Sequence, residues 1–265
     1  MKSVLRILSF ILILCASFQT MMAQGDSLSA AVDTMSREYH FQPKQLVAPV
    51  LLIGAGAWGL AEQSPIDCLE AHARNDLNPQ GHKCKADEYL QYVPSAVHLT
   101  LGFIPGVKSR NNFRDRFLAS ATAHLFMAGV TNTVKYTVKE TRPDSNKRNS
   151  FFSGHTATAF TGAELVRIEY GWGYGSAAYA MATSVAFLRV YNKRHWVGDV
   201  LAGAGTGILC ANAGYWMLPV WKRLFHIDQR DAKHLRREPK SVVVASPFYL
   251  YDTRSAGLSC SILLD

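Results

Sequence analysis

The sequence predicts an all-α protein: a helical bundle of about six helices, membrane-embedded or membrane-associated, with a short β-like C-terminal tail. Three observations carry this prediction. Apolar stretches of helical length recur between polar loops rich in Pro, Asn and Gly. Aliphatic, aromatic and cysteine residues make up 48% of the 265 residues and charged residues only 18%, a low share for a soluble chain. Residues 241–265 break the pattern with runs such as Val242-Val243-Val244 and Phe248-Tyr249-Leu250-Tyr251, which suit short strands. The mean hydropathy of +0.00 is nevertheless low for a chain made mostly of membrane spans.

At the N-terminus, Lys2 and Arg6 precede an apolar run over 7–18, which is followed by Met22-Ala23-Gln24. Residues 1–24 therefore read as a secretory signal, with an uncleaved anchor as the alternative. Residues 25–45 are a polar linker. A short apolar helix follows over 46–61, then a polar loop over 62–90. The segment 89–107 reads as a helix broken by Pro94 and Pro105, which makes it the segment least suited to span a membrane. Residues 108–116 form a basic turn. The stretch 117–134 has no formal charge and reads as a buried or spanning helix. A loop over 135–150 is dense in Lys, Arg, Asp and Asn. The helix over 155–170 begins apolar but meets Glu164, Arg167 and Glu169, which argues against a full span. An Ala-rich helix covers 174–188. The most apolar run after the signal, 200–221, carries Gly203 and Gly207 at the spacing that lets helices approach closely. The main helical domain is thus 46–222, and 223–265 is a basic segment plus the tail.

The formal charge of +8 fits an anionic partner, either a phosphorylated lipid or a membrane surface. Nucleic acid is excluded as the partner: there is no zinc-finger spacing and no basic stripe interleaved with aromatics. Export would place the chain in an oxidising compartment. There Cys68 and Cys84, which share one polar loop, could pair, while Cys210 reads as a small core residue. No Cys/His spacing suits a metal.

Chemistry concentrates between Lys135 and Asp199. Lys135 and Arg142 (followed by Pro143) can neutralise phosphoryl oxygens, the arginine through a bidentate fork. Ser153-Gly154-His155 stands where the polar loop gives way to a helix, whose first amides lack internal partners and suit an anion. His195 and Asp199 are four apart, so a helix brings them to one face. The carboxylate can then hold one imidazole nitrogen protonated and leave the other as a nucleophile or base. Arg189 supplies another cation. Each group alone is equally an ordinary solvated loop or helix cap. His40, His72, His82, His98, His124, His226 and His234 have no such company and read as structural or surface residues.

Together, Lys-x6-Arg-Pro, Ser-Gly-His and Arg-x5-His-x3-Asp resemble the phosphatidic-acid-phosphatase type 2 superfamily, which includes class A acid phosphatases and vanadium haloperoxidases. The resemblance covers roughly residues 90–220. It implies a metal-independent phosphatase with no cofactor, in which His195 forms a phosphohistidine, Asp199 orients it and His155 protonates the leaving oxygen. Lys135, Arg142, Ser153, Gly154 and Arg189 would bind the phosphoryl group. Phe152 stands where the family usually has proline, and Leu188 where it usually has serine; neither supplies charge. With the apolar segments and export signal, the expectation is a lipid-phosphate hydrolase facing the periplasm of a bacterial envelope, lipid A phosphate and undecaprenyl diphosphate being favoured. The alternatives are a soluble periplasmic acid phosphatase, a vanadate-dependent haloperoxidase and an inert membrane scaffold.

Overall fold

The structure is a computed structural model that describes residues 39–61, 78 and 84–226, together with the backbone of 241–250 and 255–264. The expected signal over 1–24, most of the 25–45 linker, Cys68 and the bulk of the basic segment lie outside these residues. Two compact units divide between Leu218 and Pro219.

In the first unit the helices are α1 (Val47–Trp58), α2 (Ala86–Leu90), α3 (Val93–Thr100), α4 (Phe113–Val138), α5 (Gly154–Tyr170), α6 (Trp172–Tyr191) and α7 (Val197–Trp216). Six of them have eight residues or more, which matches the all-α expectation. Pro94 sits in the first turn of α3, where its missing N–H is not needed, so the 89–107 segment breaks into α2, α3 and a 3₁₀ turn over Leu101–Phe103. The apolar run 200–221 is likewise two helices: α7 stops at Trp216 and a short α8 (Leu218–Leu224) follows. Beyond it, β1 (Ser241–Leu250) and β2 (Ser255–Leu264) pair antiparallel, Ser241 opposite Leu264.

The centre of the first unit is the α5–α7 pair. Helix α5 packs on α3, α4, α6 and α7, and α7 also on α1. Fifteen of the twenty residues of α7 are buried, as its small side chains allow. A Cβ on Gly207 would come 2.5 Å from the Ala157 carbonyl oxygen, and one on Gly203 2.7 Å from that of Ser153. The glycine pair therefore brings α7 into backbone contact with α5, as its spacing predicts.

The charges on α5 point inward. Glu164 and Glu169 are each 2% exposed. Glu164 accepts from Arg167, from Tyr179 Oη at 2.7 Å and from Asn212 Nδ2 at 2.9 Å. Glu169 accepts from Tyr215 Oη at 2.7 Å. These carboxylates tie α5 to α6 and α7, because a buried charge is tolerated only when paired and hydrogen-bonded. Helix α4 does the reverse: Ala119, Ala123 and Met127 are buried while Phe117, Leu125 and Val130 are exposed. Among the described residues no helix is long and apolar enough to cross a membrane.

Gly207→Ala forces a methyl against backbone and should lower stability by about 1–3 kcal/mol. Chemical denaturation in detergent micelles checks this, with an unchanged midpoint the contrary result.

Candidate active site

The termini of four helices meet at one place. Lys135 lies in the last turn of α4; Ser153 caps α5, which begins with Gly154 and His155; Arg189 lies in the last turn of α6; and Asp199 is the third residue of α7. The Ser153 amide donates to the Asp199 carbonyl at 3.1 Å, joining the starts of α5 and α7 directly. A Cβ on Gly154 would lie 3.9 Å from Lys135 Nζ. All eight sequence-predicted residues fall within this region.

Asp199 is the most heavily bonded of them. Its Oδ2 accepts from His195 Nδ1 at 3.2 Å, from the Trp196 amide at 3.0 Å and from Ser150 Oγ. The Glu140 carboxyl stands close to it. Burial pushes the Asp199 carboxyl up, but His195, Glu140 and Ser150 hold it below its ordinary value. Because the Trp196 amide precedes α7, Asp199 also caps its own helix, where the dipole favours negative charge.

His195 is 2% exposed. With Nδ1–H donating to Asp199, the lone pair resides on Nε2, which is buried with no hydrogen-bond partner. Burial lowers the pKa of this imidazole, and Arg189 and Arg142 lower it further against the pull of Asp199. The ring is therefore neutral at neutral pH. His155 is half-buried, and its pKa is lowered to about 4, first by burial and then by Arg189, with His195 and Lys135 adding to the effect against Asp87. Lys135 is lowered by burial and by Arg142 and Arg189. Cations thus surround both histidines.

Sequence reasoning missed Asp87. Arg189 is 1% exposed, and its Nη1 donates to Asp87 Oδ2 at 2.7 Å. Asn192 Nδ2 donates to Asp87 Oδ1 at 3.3 Å and to the Cys84 carbonyl at 2.7 Å, and its Oδ1 accepts from the Cys84 amide at 2.9 Å. One edge of Arg189 is therefore committed to α2, while its buried Nε has no partner. No local signal marks Asp87, which is 102 positions from Arg189. Ser150 and Glu140 were also missed, although both lie inside the basic loop. Cys84 is exposed, and Cys68, its expected partner, lies outside the described residues.

The loop is shaped by its own backbone. Ser150 N donates to Glu140 O at 3.0 Å, Arg142 N to Lys147 O at 3.1 Å, and Trp196 Nε1 to Thr141 O at 2.9 Å. Arg142 Nε donates to Asn149 Oδ1 at 2.8 Å, which aims the guanidinium. Lys139 and Arg148 are exposed, and with Asn132, Lys135, Tyr136 and Asn149 they line a groove. Phe152 is 3% exposed and packs with Met127, Ala157, Ala202 and Cys210. It anchors the loop by an apolar side chain that a proline could not replace.

A neutral buried imidazole with a free lone pair, oriented by a carboxylate and surrounded by cations at a helix N-terminus, can attack an electrophilic phosphorus and stabilise the charge that develops.

Residues 117–223 match the family model described as PAP2 superfamily, a narrower span than the 90–220 resemblance. A lipid A 1-phosphatase of Porphyromonas gingivalis is 42% identical over 139 residues, which is 50% of this chain and 31% of that protein. The chain thus spans less than a third of that relative's length. A crystal structure of Aquifex aeolicus LpxE aligns with 53% of this chain and 90% of its own at 21% identity and a TM-score of 0.42. The Bacillus subtilis transmembrane PAP2 type phosphatidylglycerolphosphate phosphatase aligns with 69% and 97% at 19% identity and a TM-score of 0.43.

Phe152→Pro should cost about 3–5 kcal/mol, the range for emptying a buried aromatic site; an unfolding midpoint equal to wild type would contradict this. The His155 ring should titrate by NMR with a midpoint about 4. Its folded value lies below the unfolded one, so its contribution to stability is present at neutral pH and declines as pH falls from about 6.5 towards 4.

Proposed function

We propose that this protein is a metal-independent phosphatase that removes phosphate from a lipid head group through a phosphohistidine on His195. The observation that carries the reading is the buried, unpartnered Nε2 of His195, held by Asp199 and surrounded by Lys135, Arg142 and Arg189. The name of the 42% identical relative supports a phosphorylated lipid as substrate.

The phosphoryl oxygens would be held by Lys135, Arg142, the free edge of Arg189 and the first amides of α5 at Gly154 and His155, with Ser153 setting the turn. His195 Nε2 attacks phosphorus as the bond to the leaving oxygen breaks, and His155 gives that oxygen a proton. Asp199 stabilises the positive charge that forms on the His195 ring. A water then loses a proton to His155 and attacks the same phosphorus, breaking the P–N bond and releasing phosphate. The incoming phosphate supplies the negative charge that the free site lacks, so substrate binding raises the pKa of His155 towards the value an acid needs.

Lipid A phosphate and undecaprenyl diphosphate are the favoured substrates, met at the periplasmic face of a bacterial envelope. The exposed Val50, Leu51, Phe117, Leu125 and Val130 give the bundle apolar surface for membrane association.

With purified protein and a panel of lipid phosphates in micelles, released phosphate should fall by at least about 10³-fold in His195→Ala. Wild type denatured at alkaline pH, where a P–N bond survives, should carry label from a ³²P-lipid on histidine, and acid treatment should release it. Activity on a soluble ester but on no lipid would refute the lipid reading. Because His155 must be protonated to act, kcat/KM should rise as pH falls from 7 towards 5. A flat profile would count against its role as the acid.

A further inference from the structure

Beside the cradle lies the groove of about 340 Å³ lined by Asn132, Lys135, Tyr136, Lys139, Arg148 and Asn149. That volume is at the lower end of the ~300–1,000 Å³ typical of small-molecule sites. It is continuous with the cradle through two residues. Lys135 lines the groove and also stands against Gly154 at the start of α5. Asn149 lines it and also accepts from Arg142 Nε at 2.8 Å.

Three cations border this groove, and none of them has an ion-pair partner among the described residues. The C-terminal dipole of α4 explains cations at Lys135 and Lys139, the latter being the left-handed cap residue at φ 51°. It does not explain Arg148, which lies nine residues further along the loop that follows α4. That loop is fixed by its two backbone hydrogen bonds at Ser150 and Arg142, so Arg148 and Asn149 are presented by a closed turn rather than a free strand of chain. Like charges gathered around a concavity repel one another, and an anion in the groove relieves that repulsion.

We propose that this groove is a second anion subsite, which takes a negatively charged group carried by the same substrate beside the phosphate that is removed. The inference rests on the phosphatase reading above and narrows its substrate class to head groups with two anionic centres. Two sources share this chemistry: a diphosphate, whose second phosphate adjoins the first, and a sugar head group bearing another phosphate at a distance. Asn132 and Asn149 offer amide donors and acceptors, and Tyr136 an exposed ring edge, for the atoms between the two charges.

The test compares Lys139→Ala, Arg148→Ala and the double variant with wild type, in neutral-detergent micelles at fixed ionic strength. Substrates are phosphatidic acid, undecaprenyl diphosphate, lipid A with one phosphate and lipid A with two. The ratio of kcat/KM for the doubly anionic lipids over their singly anionic counterparts should fall by roughly tenfold or more in the double variant, through KM, as expected for losing charge-assisted contacts. A fall confined to undecaprenyl diphosphate assigns an adjacent phosphate, and one confined to bisphosphorylated lipid A a distant one. An unchanged ratio, or equal loss on every lipid as for a general membrane-binding patch, overturns the subsite.

A second arm needs no turnover. In a His195→Ala background, cosedimentation with phosphatidylcholine vesicles doped with each lipid should show preference for the doubly anionic ones, lost when Lys139 and Arg148 are replaced. If wild type hydrolyses no lipid while that preference is present, the phosphatase reading fails and the subsite stands. If the preference is absent, the subsite fails whatever the turnover.

Discussion

One carboxylate holds the site together. Asp199 sits at the first turn of α7 and gathers Ser150 from the loop, His195 from the α6–α7 connection and the amide of Trp196. Its own carbonyl takes the Ser153 amide at the start of α5. The 150–153 stretch, nearly fifty residues away, and the residues just before α7 are therefore referenced to one residue that is 1% exposed. Removing a partner from a buried hydrogen-bonded charge typically costs about 3–5 kcal/mol, so the geometry of the site and the local fold are not separable here. The tautomer of His195 follows from the same contact.

Around that contact the site balances burial against charge. Burial alone would neutralise Asp199 and both histidines. The contacts with His195, Glu140 and Ser150 reverse this for the carboxylate, and the cations reinforce it for the imidazoles, so a base and an anion persist side by side. Arg189 can occupy so dry a position only because Asp87 compensates it at 2.7 Å, which makes α2 and the Asn192 clamp part of the site's support. The free site is left with excess positive charge.

Packing sets where these groups stand. The Gly203–Gly207 face of α7 lies on the α5 backbone, and the close approach brings the N-termini of both helices together. Phe152 fills the core beneath the loop, next to Ser153. The inward-facing Glu164 and Glu169 lock the far end of α5, well removed from the chemistry.

The sequence by itself determined the all-helical class, the helix positions to within a few residues, and the eight residues that converge. Those properties are local: apolar periodicity, proline and glycine placement, and motif spacing within 65 residues. Only the tertiary structure decided that Glu164 and Glu169 face inward, that 200–221 splits, that Asp87 compensates Arg189, that Phe152 is core and that Lys139 and Arg148 line a groove. Each of these depends on which side of a helix or loop meets another segment far away in the chain. Charge count and periodicity are blind to that pairing, because a buried ion pair and a solvated one are written with the same letters.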